Sequence, residues 1–183
     1  MTPWCIGPIL VPMDYVCPVL VVYASKRGST REVAEWIAAA LVDKGHDVDV
    51  RSASDVGDLD PYAGVILGGA LYMGRLHDAA RAFLKRHGGA IARLPVAVFA
   101  MGPQTLREDD VAKSRRQLDA ALAKTPELTP ALVAIFGGVV DPTKLRFPLS
   151  RMPASDARDW DEIRRFAEQA DRLFVSVQQD APA

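Results

Sequence analysis

Residues 25–30 read Ser25-Lys26-Arg27-Gly28-Ser29-Thr30, a spacing of hydroxyls, cations and glycine that suits a bound anion. Three hydroxyls can donate hydrogen bonds. Lys26 and Arg27 add positive charge, and Gly28 lets the backbone approach an anion closely. The segment lies between a run of valines and a run of helix formers, so it feeds a helix N-terminus. There, free N–H groups and the positive end of the helix dipole favour a phosphate. Part of the pattern has a plainer account, because Ser29 followed by Glu32 fits a capping box. A cap does not explain Ser25, Gly28 and Thr30 together at this spacing.

A second segment, Gly68-Gly69-Ala70-Leu71-Tyr72-Met73-Gly74-Arg75-Leu76, brackets an aromatic with glycines. A flat aromatic ligand needs a ring to stack on, apolar neighbours and peptides free to face its ring nitrogens. Tyr72 and Leu71 supply the first two, Gly69 and Gly74 the third. Arg75 and His77 are the candidate catalytic groups, although a histidine at a helix start has ordinary uses. The spacing of Gly69 and Gly74 imitates a nucleotide-binding P-loop. Arg75-Leu76 then stands where Lys-Ser/Thr is required, which excludes hydrolysis of nucleoside triphosphates by that route. A third segment, Gly102-Pro103-Gln104-Thr105-Leu106, is a turn that could close over the other side of such a ligand.

The elements that must position these loops are legible as alternating periods. Apolar, β-branched runs at 19–24, 64–70, 95–101 and 131–137 suit strands buried on both faces, and an alternating run at 47–51 suits a strand nearer an edge. Helical periods lie between them, with Val33, Trp36, Ile37, Ala40 and Leu41 on one face and Ala80, Phe83, Leu84 and His87 on another. Later helices carry Val111, Leu118 and Leu122, then Ile163, Phe166, Ala170 and Phe174. Gly45 suits the end of the first helix, and Asp159 with Glu162 opens the last. The polar link 52–63 predicts no more than a turn. The expected fold is a three-layer α/β doubly wound sheet of five parallel strands in order 2-1-3-4-5. Its topological switch point brings the 25–30, 68–76 and 102–108 loops together beyond the carboxyl ends of the strands.

Composition narrows the function classes. The chain has 183 residues, 49% hydrophobic, with a net charge of −1. That is one domain, with no global field to attract nucleic acid or membrane. Two cysteines, Cys5 and Cys17, are too few for a disulfide framework, and no Cys/His spacing suits zinc, so the setting reads as reducing and cytoplasmic, with no metal. Residues 1–17 are proline-rich and lack the basic start of a signal peptide, so they read as a flexible leader, with Met13 an alternative start. Residues 18–178 form the domain and 179–183 a tail. A receiver domain would need acidic residues where Ser25 and Gly68 stand. A low-molecular-weight phosphatase would need Cys-x5-Arg in the first loop, and no Gly-x-Ser-x-Gly marks a serine hydrolase.

Ser25, Gly28 and Thr30 match the Ser/Thr-x-x-Gly-x-Thr phosphate motif of the flavodoxin family, which the three loops together resemble. Within it the chain is similar to the flavodoxin-domain group that includes menaquinone-dependent protoporphyrinogen oxidase. The matching segments are YASKRGSTREVAEWIAAAL, GVILGGALYMGRLHDAARAFLKRH, AIFGG and RDWDEIRRFAEQ. The resemblance implies FMN as cofactor, its phosphate held by Ser25, Lys26, Arg27, Gly28, Ser29 and Thr30. Gly69, Ala70, Leu71, Tyr72 and Gly74 would line the isoalloxazine, and Gly102, Pro103 and Gln104 would flank it. It further implies redox chemistry with a quinone, a porphyrinogen or a redox partner protein, with membrane contact no more than peripheral. Lys144, Arg146, Arg151 and Arg158 against Asp141 and Asp156 make residues 138–158 locally basic, a strip suited to porphyrin carboxylates or an anionic membrane face. The alternative within the family is an electron carrier with no small-molecule substrate of its own.

Overall fold

The computed structural model of the chain describes residues 17–72, 74–144, 147, 151 and 153–179. The expected leader, apart from Cys17, lies outside the described residues, as do Met13, Cys5, Met73 and most of the tail. Cys17 is disulfide-bonded.

Five parallel strands form the central sheet: β1 (Val19–Ala24), β2 (Val48–Ser52), β3 (Gly64–Tyr72), β5 (Val96–Met101) and β6 (Leu132–Phe136). Their spatial order is β2-β1-β3-β5-β6, which is the expected 2-1-3-4-5 when only the principal strands are counted. β3 turns back through β4 (Arg75–Leu76), which pairs with it antiparallel. A two-stranded ribbon of β7 (Val139–Val140) and β8 (Ser155–Asp156) lies outside the sheet. Neither feature has an apolar run long enough to read from sequence. The link between β2 and β3 holds turns only, as its polarity predicted.

Alternate side chains of each strand point to opposite faces, and both faces are covered. On one face Val19, Val21, Ile66 and Phe99 pack against α1 (Ser29–Val42) and α4 (Trp160–Gln179) through Val33, Ile37, Leu41, Ile163, Phe166 and Phe174. On the other, Leu20, Val22, Val65, Leu67 and Val98 meet α2 (Asp78–Ile91) and α3 (Glu108–Leu122) through Ala80, Phe83, Leu84, Leu118 and Leu122. Phe99, Phe136 and Phe166 form a closed aromatic triangle with centroids 5.5–5.9 Å apart. The helices end where their sequences direct. Gly45 sits just past α1 with φ 93°. The Asp159 carboxylate accepts from the Asp161 and Glu162 N–H groups at 2.9 and 3.1 Å, opening α4.

His87 on α2 is buried against Phe83, with ring centroids 4.8 Å apart. Burial, aided by Arg86, holds its pKa below the ordinary value of 6.5. The unfolded chain therefore takes up this proton first as pH falls, and protonation favours unfolding. The neutral imidazole contributes its full stability above about pH 6.5, and the contribution is lost below it. The thermal midpoint is expected to drop between pH 7.5 and 5.5, and less steeply in His87→Leu. Melting curves across that range check it, and equal slopes in both proteins would show that His87 is not the group responsible.

Candidate functional site

The site is built where strand lengths become unequal. β1 stays in register with β3 as far as Ala24 opposite Gly69, and β5 as far as Met101 opposite Ala70. β3 continues for two residues beyond both. Leu71 and Tyr72 therefore stand clear of the carboxyl edge, half-buried, while Gly69 and Ala70 remain inside the sheet. The face of Gly69 is taken by Leu76, whose Cδ1 would lie 2.5 Å from an added Cβ. Of the second loop's residues, the structure thus presents Leu71, Tyr72, exposed Gly74 and exposed Arg75 at the edge, and keeps Gly69 and Ala70 as sheet interior.

The first loop leaves β1 beside this protrusion. Gly28 adopts φ 96°, ψ −24°, a left-handed conformation that glycine takes at little cost. Its N–H donates to Ser25 Oγ at 3.0 Å, closing the turn. Gly28 is itself the N-cap residue of α1, and no side chain caps the helix. The capping box expected of Ser29 and Glu32 does not form. Ser29 is already helical, and the Glu32 carboxylate instead accepts from Arg158 Nη1 at 2.7 Å. The first turn of α1 is thus left with N–H groups that no side chain satisfies. Beside them Thr30 is fully buried, and its Oγ1 has no hydrogen-bond partner.

An unpartnered buried hydroxyl costs about 1–3 kcal/mol, and it is rare enough in folded proteins to require an explanation. An anion at the bare helix end supplies one, since Thr30 Oγ1 and the first N–H groups could donate to it together. Lys26 is exposed and Arg27 half-buried at the rim. The Arg27 guanidinium carbon lies 5.2 Å from the centroid of the Tyr72 ring, so the first and second loops meet there. These residues fit a phosphate-bearing aromatic ligand.

His77 is the N-cap of α2. Its Nδ1 accepts from the Ala79 N–H at 3.1 Å, which assigns the ring proton to Nε2. That Nε2 is buried without a partner, and the ring centroid is 6.2 Å from that of Tyr72. Burial, then the nearby Lys26 charge, pushes the imidazole pKa down, so at neutral pH His77 is a neutral donor. His77 thus caps α2 through Nδ1 and keeps an unpartnered Nε2 near the Tyr72 ring.

The third loop is anchored from below. The Gly102 N–H donates to the Phe136 carbonyl at 3.0 Å, and the Pro103 carbonyl accepts from the Gly138 N–H at 2.6 Å. Leu71 Cδ1 would be 3.3 Å from a Cβ on Gly102, so this loop lies against the second. Gln104 and Leu106 are exposed at its tip, and the Thr105 hydroxyl donates to Asp110.

One site-forming contact was not legible in the sequence. Arg158, assigned to the basic strip, is only 11% exposed. Its guanidinium grips Asp156 and Glu32 and lies 4.9 Å from the Trp160 ring centroid, and these carboxylates hold its pKa above the ordinary arginine value. It clips residues 155–158 to the first turn of α1. The local Asp-x-Arg spacing is the only sequence hint, because Glu32 is 126 residues away. Of the rest of that strip, Arg146 lies outside the described residues. Phe147 is 72% exposed, with Arg151 over its ring at 5.0 Å. A cleft of about 370 Å³ on the flank of β6, lined in part by Val111, Arg115, Glu162 and Arg165, contains none of the expected site residues. Among the described residues no group of three His, Cys, Asp or Glu could hold a metal, and no helix is long and apolar enough to cross a membrane.

Comparison with known proteins agrees with this fold. The solved structures that resemble the chain include oxidised flavodoxin 1 from Bacillus cereus, with a TM-score of 0.54 at 20% identity over 87% of this chain and 97% of that one. A short-chain flavodoxin associated with a bacterial microcompartment gives 0.60 at 14% identity, over 88% and 98%. At such identities the likeness is one of fold. A curated relative, protoporphyrinogen IX dehydrogenase [quinone] of Escherichia coli K12, is 26% identical over 84 residues. The match spans 45% of this chain and 46% of that protein, so less than half of the relative's length is represented. A family model described as a flavodoxin domain matches residues 20–152, covering all three loops, and on that match the chain belongs to the flavodoxin domain family.

Proposed function

We propose that the chain binds FMN across the 25–30, 71–76 and 102–106 loops and oxidises a porphyrinogen-type substrate, with a quinone as electron acceptor. The observation that carries the cofactor is the buried, unpartnered Thr30 hydroxyl beside an uncapped helix N-terminus. The activity in the name of the E. coli relative supports the choice of chemistry. When bound, FMN supplies reversible uptake of electrons. The chain's residues have separate roles. Ser29 and Thr30 donate to the phosphate, with Lys26 and Arg27 balancing its charge. Tyr72 and Leu71 offer the ring an apolar wall, and the 102–106 loop excludes water on the other side. His77 Nε2 and Arg75 would hold a proton or an anionic substituent.

Flavin titration tests the first half. Quenching and a spectral shift at micromolar FMN are expected, and their absence would sink the reading. Replacing Tyr72 with alanine is expected to weaken binding by roughly 1–3 kcal/mol, the size of an aromatic contact with its buried area. An unchanged dissociation constant would place Tyr72 outside the ring site. The likeness to flavodoxins favours a second reading, an electron carrier. One assay separates the two: turnover of reduced porphyrinogen with a menaquinone analogue supports the enzyme. Reduction by a ferredoxin reductase followed by transfer to cytochrome, with no porphyrinogen turnover, supports the carrier.

A further inference from the structure

Three cations converge on the protruding end of β3. Arg27 sits over the Tyr72 ring at 5.2 Å. Arg75 is the antiparallel partner of Tyr72 across the hairpin. Lys26 lies close enough to His77 and Asp78 to influence the ionisation of both. Arg27 is the one of the three whose charge is set directly on the ring expected to form the flavin wall.

We infer that Arg27 is a redox-tuning residue, which from its seat on Tyr72 stabilises the negative charge that a bound flavin gains on reduction. The inference rests on the FMN reading above. Oxidised FMN that takes up two electrons and one proton carries one more net negative charge than before, and in the experiment below the electrons come from dithionite. The charge of the phosphate is the same in both forms. A cation that acted on the phosphate alone would therefore strengthen binding of both equally and leave the potential unchanged. A cation near the ring favours the reduced form and raises the potential. In a partly buried site a unit charge within about 10 Å changes the ratio of the two affinities by about tenfold. For a two-electron couple that is about 30 mV.

The test is a dithionite titration of the FMN-loaded protein against an indicator dye, with the FMN dissociation constant measured in parallel. Arg27→Gln is expected to lower the midpoint potential by about 30 mV, whereas Arg27→Lys, which keeps the charge, stays near the parent protein. Lys85→Gln, on an exposed turn of α2 outside the site, controls for the loss of one positive charge anywhere on the surface. Arg27→Gln holding FMN at the parent potential would overturn the inference and leave FMN binding intact, as would an equal drop in Lys85→Gln. If Arg27→Gln retains no flavin, the parent protein decides. Its potential is expected to fall as salt is raised and screens the cations, and a potential independent of salt rejects the inference. A parent protein that takes up no FMN would instead remove the functional reading itself.

Discussion

Replacing Gly28 with aspartate is expected to weaken FMN binding by roughly a thousandfold, about 4 kcal/mol. Two effects add. Gly28 holds φ 96°, where a side chain costs about 1–2 kcal/mol. A carboxylate there would also lie close to the phosphate, and each pair of like charges at about 5 Å costs about 3 kcal/mol at an effective dielectric near 20. No neighbouring group obstructs the side chain, since an added Cβ would meet nothing within 4 Å. Gly28→Ala therefore isolates the backbone part and is expected to lose only about tenfold. The aspartate would bring its own negative charge to the bare end of α1, which offsets part of the strain in the free protein. The expected outcome is a protein that melts near the parent temperature and binds flavin about a thousandfold more weakly. Isothermal titration with FMN, alongside thermal melts, checks both halves. Equal affinities for the alanine and aspartate variants would mean that no phosphate sits at this turn.

The second large effect is expected at Gly137, at the far end of the same edge. An added Cβ would lie 1.8 Å from the Ala157 carbonyl oxygen and 2.9 Å from Ala157 Cβ. The obstacle is backbone, so no rotamer relieves it, and the 155–158 segment must move. That segment carries Arg158, which fastens it to Glu32 on α1 and to Trp160. Overpacking of this kind costs about 3 kcal/mol. The consequence is expected to be both a lower denaturation midpoint and a looser site, because Gly138 next door holds the 102–106 loop through the Pro103 carbonyl. Urea unfolding with and without FMN separates them. Loss of stability with flavin affinity retained would show that the clip supports the fold but not the site.

What could be read from the sequence and what could not divides along physical lines. Strands such as β1 and β5 announce themselves because both faces are buried and few side chains other than Val, Ile, Leu, Ala and Phe are tolerated there. Their order follows from the doubly wound rule. The first loop was legible because Ser25, Gly28 and Thr30 are neighbours in the chain. The second was legible in place but not in detail. Whether Gly69 or Tyr72 stands at the exposed edge depends on β3 outrunning β5 by two residues and β1 by three, and strand length is set by partners the local sequence does not name. The capping box failed for a similar reason. Ser29 and Glu32 have the right spacing, but the left-handed turn at Gly28 starts the helix one residue too early, and Arg158 takes the glutamate. The contacts of Arg27 with Tyr72 and of Arg158 with Glu32 join distant residues, and no periodicity encodes them.

The orphaned hydroxyl of Thr30 and the uncapped first turn of α1 carry a consequence for the life of the molecule. A fold that leaves polar groups unsatisfied until a ligand arrives is less stable empty than loaded. With ligand at a hundred times its dissociation constant, the difference is about 2.7 kcal/mol. Quality-control proteases act on transiently opened chains, and their access follows that difference. On the reading proposed above, the abundance of the protein would track the supply of flavin at a constant rate of synthesis.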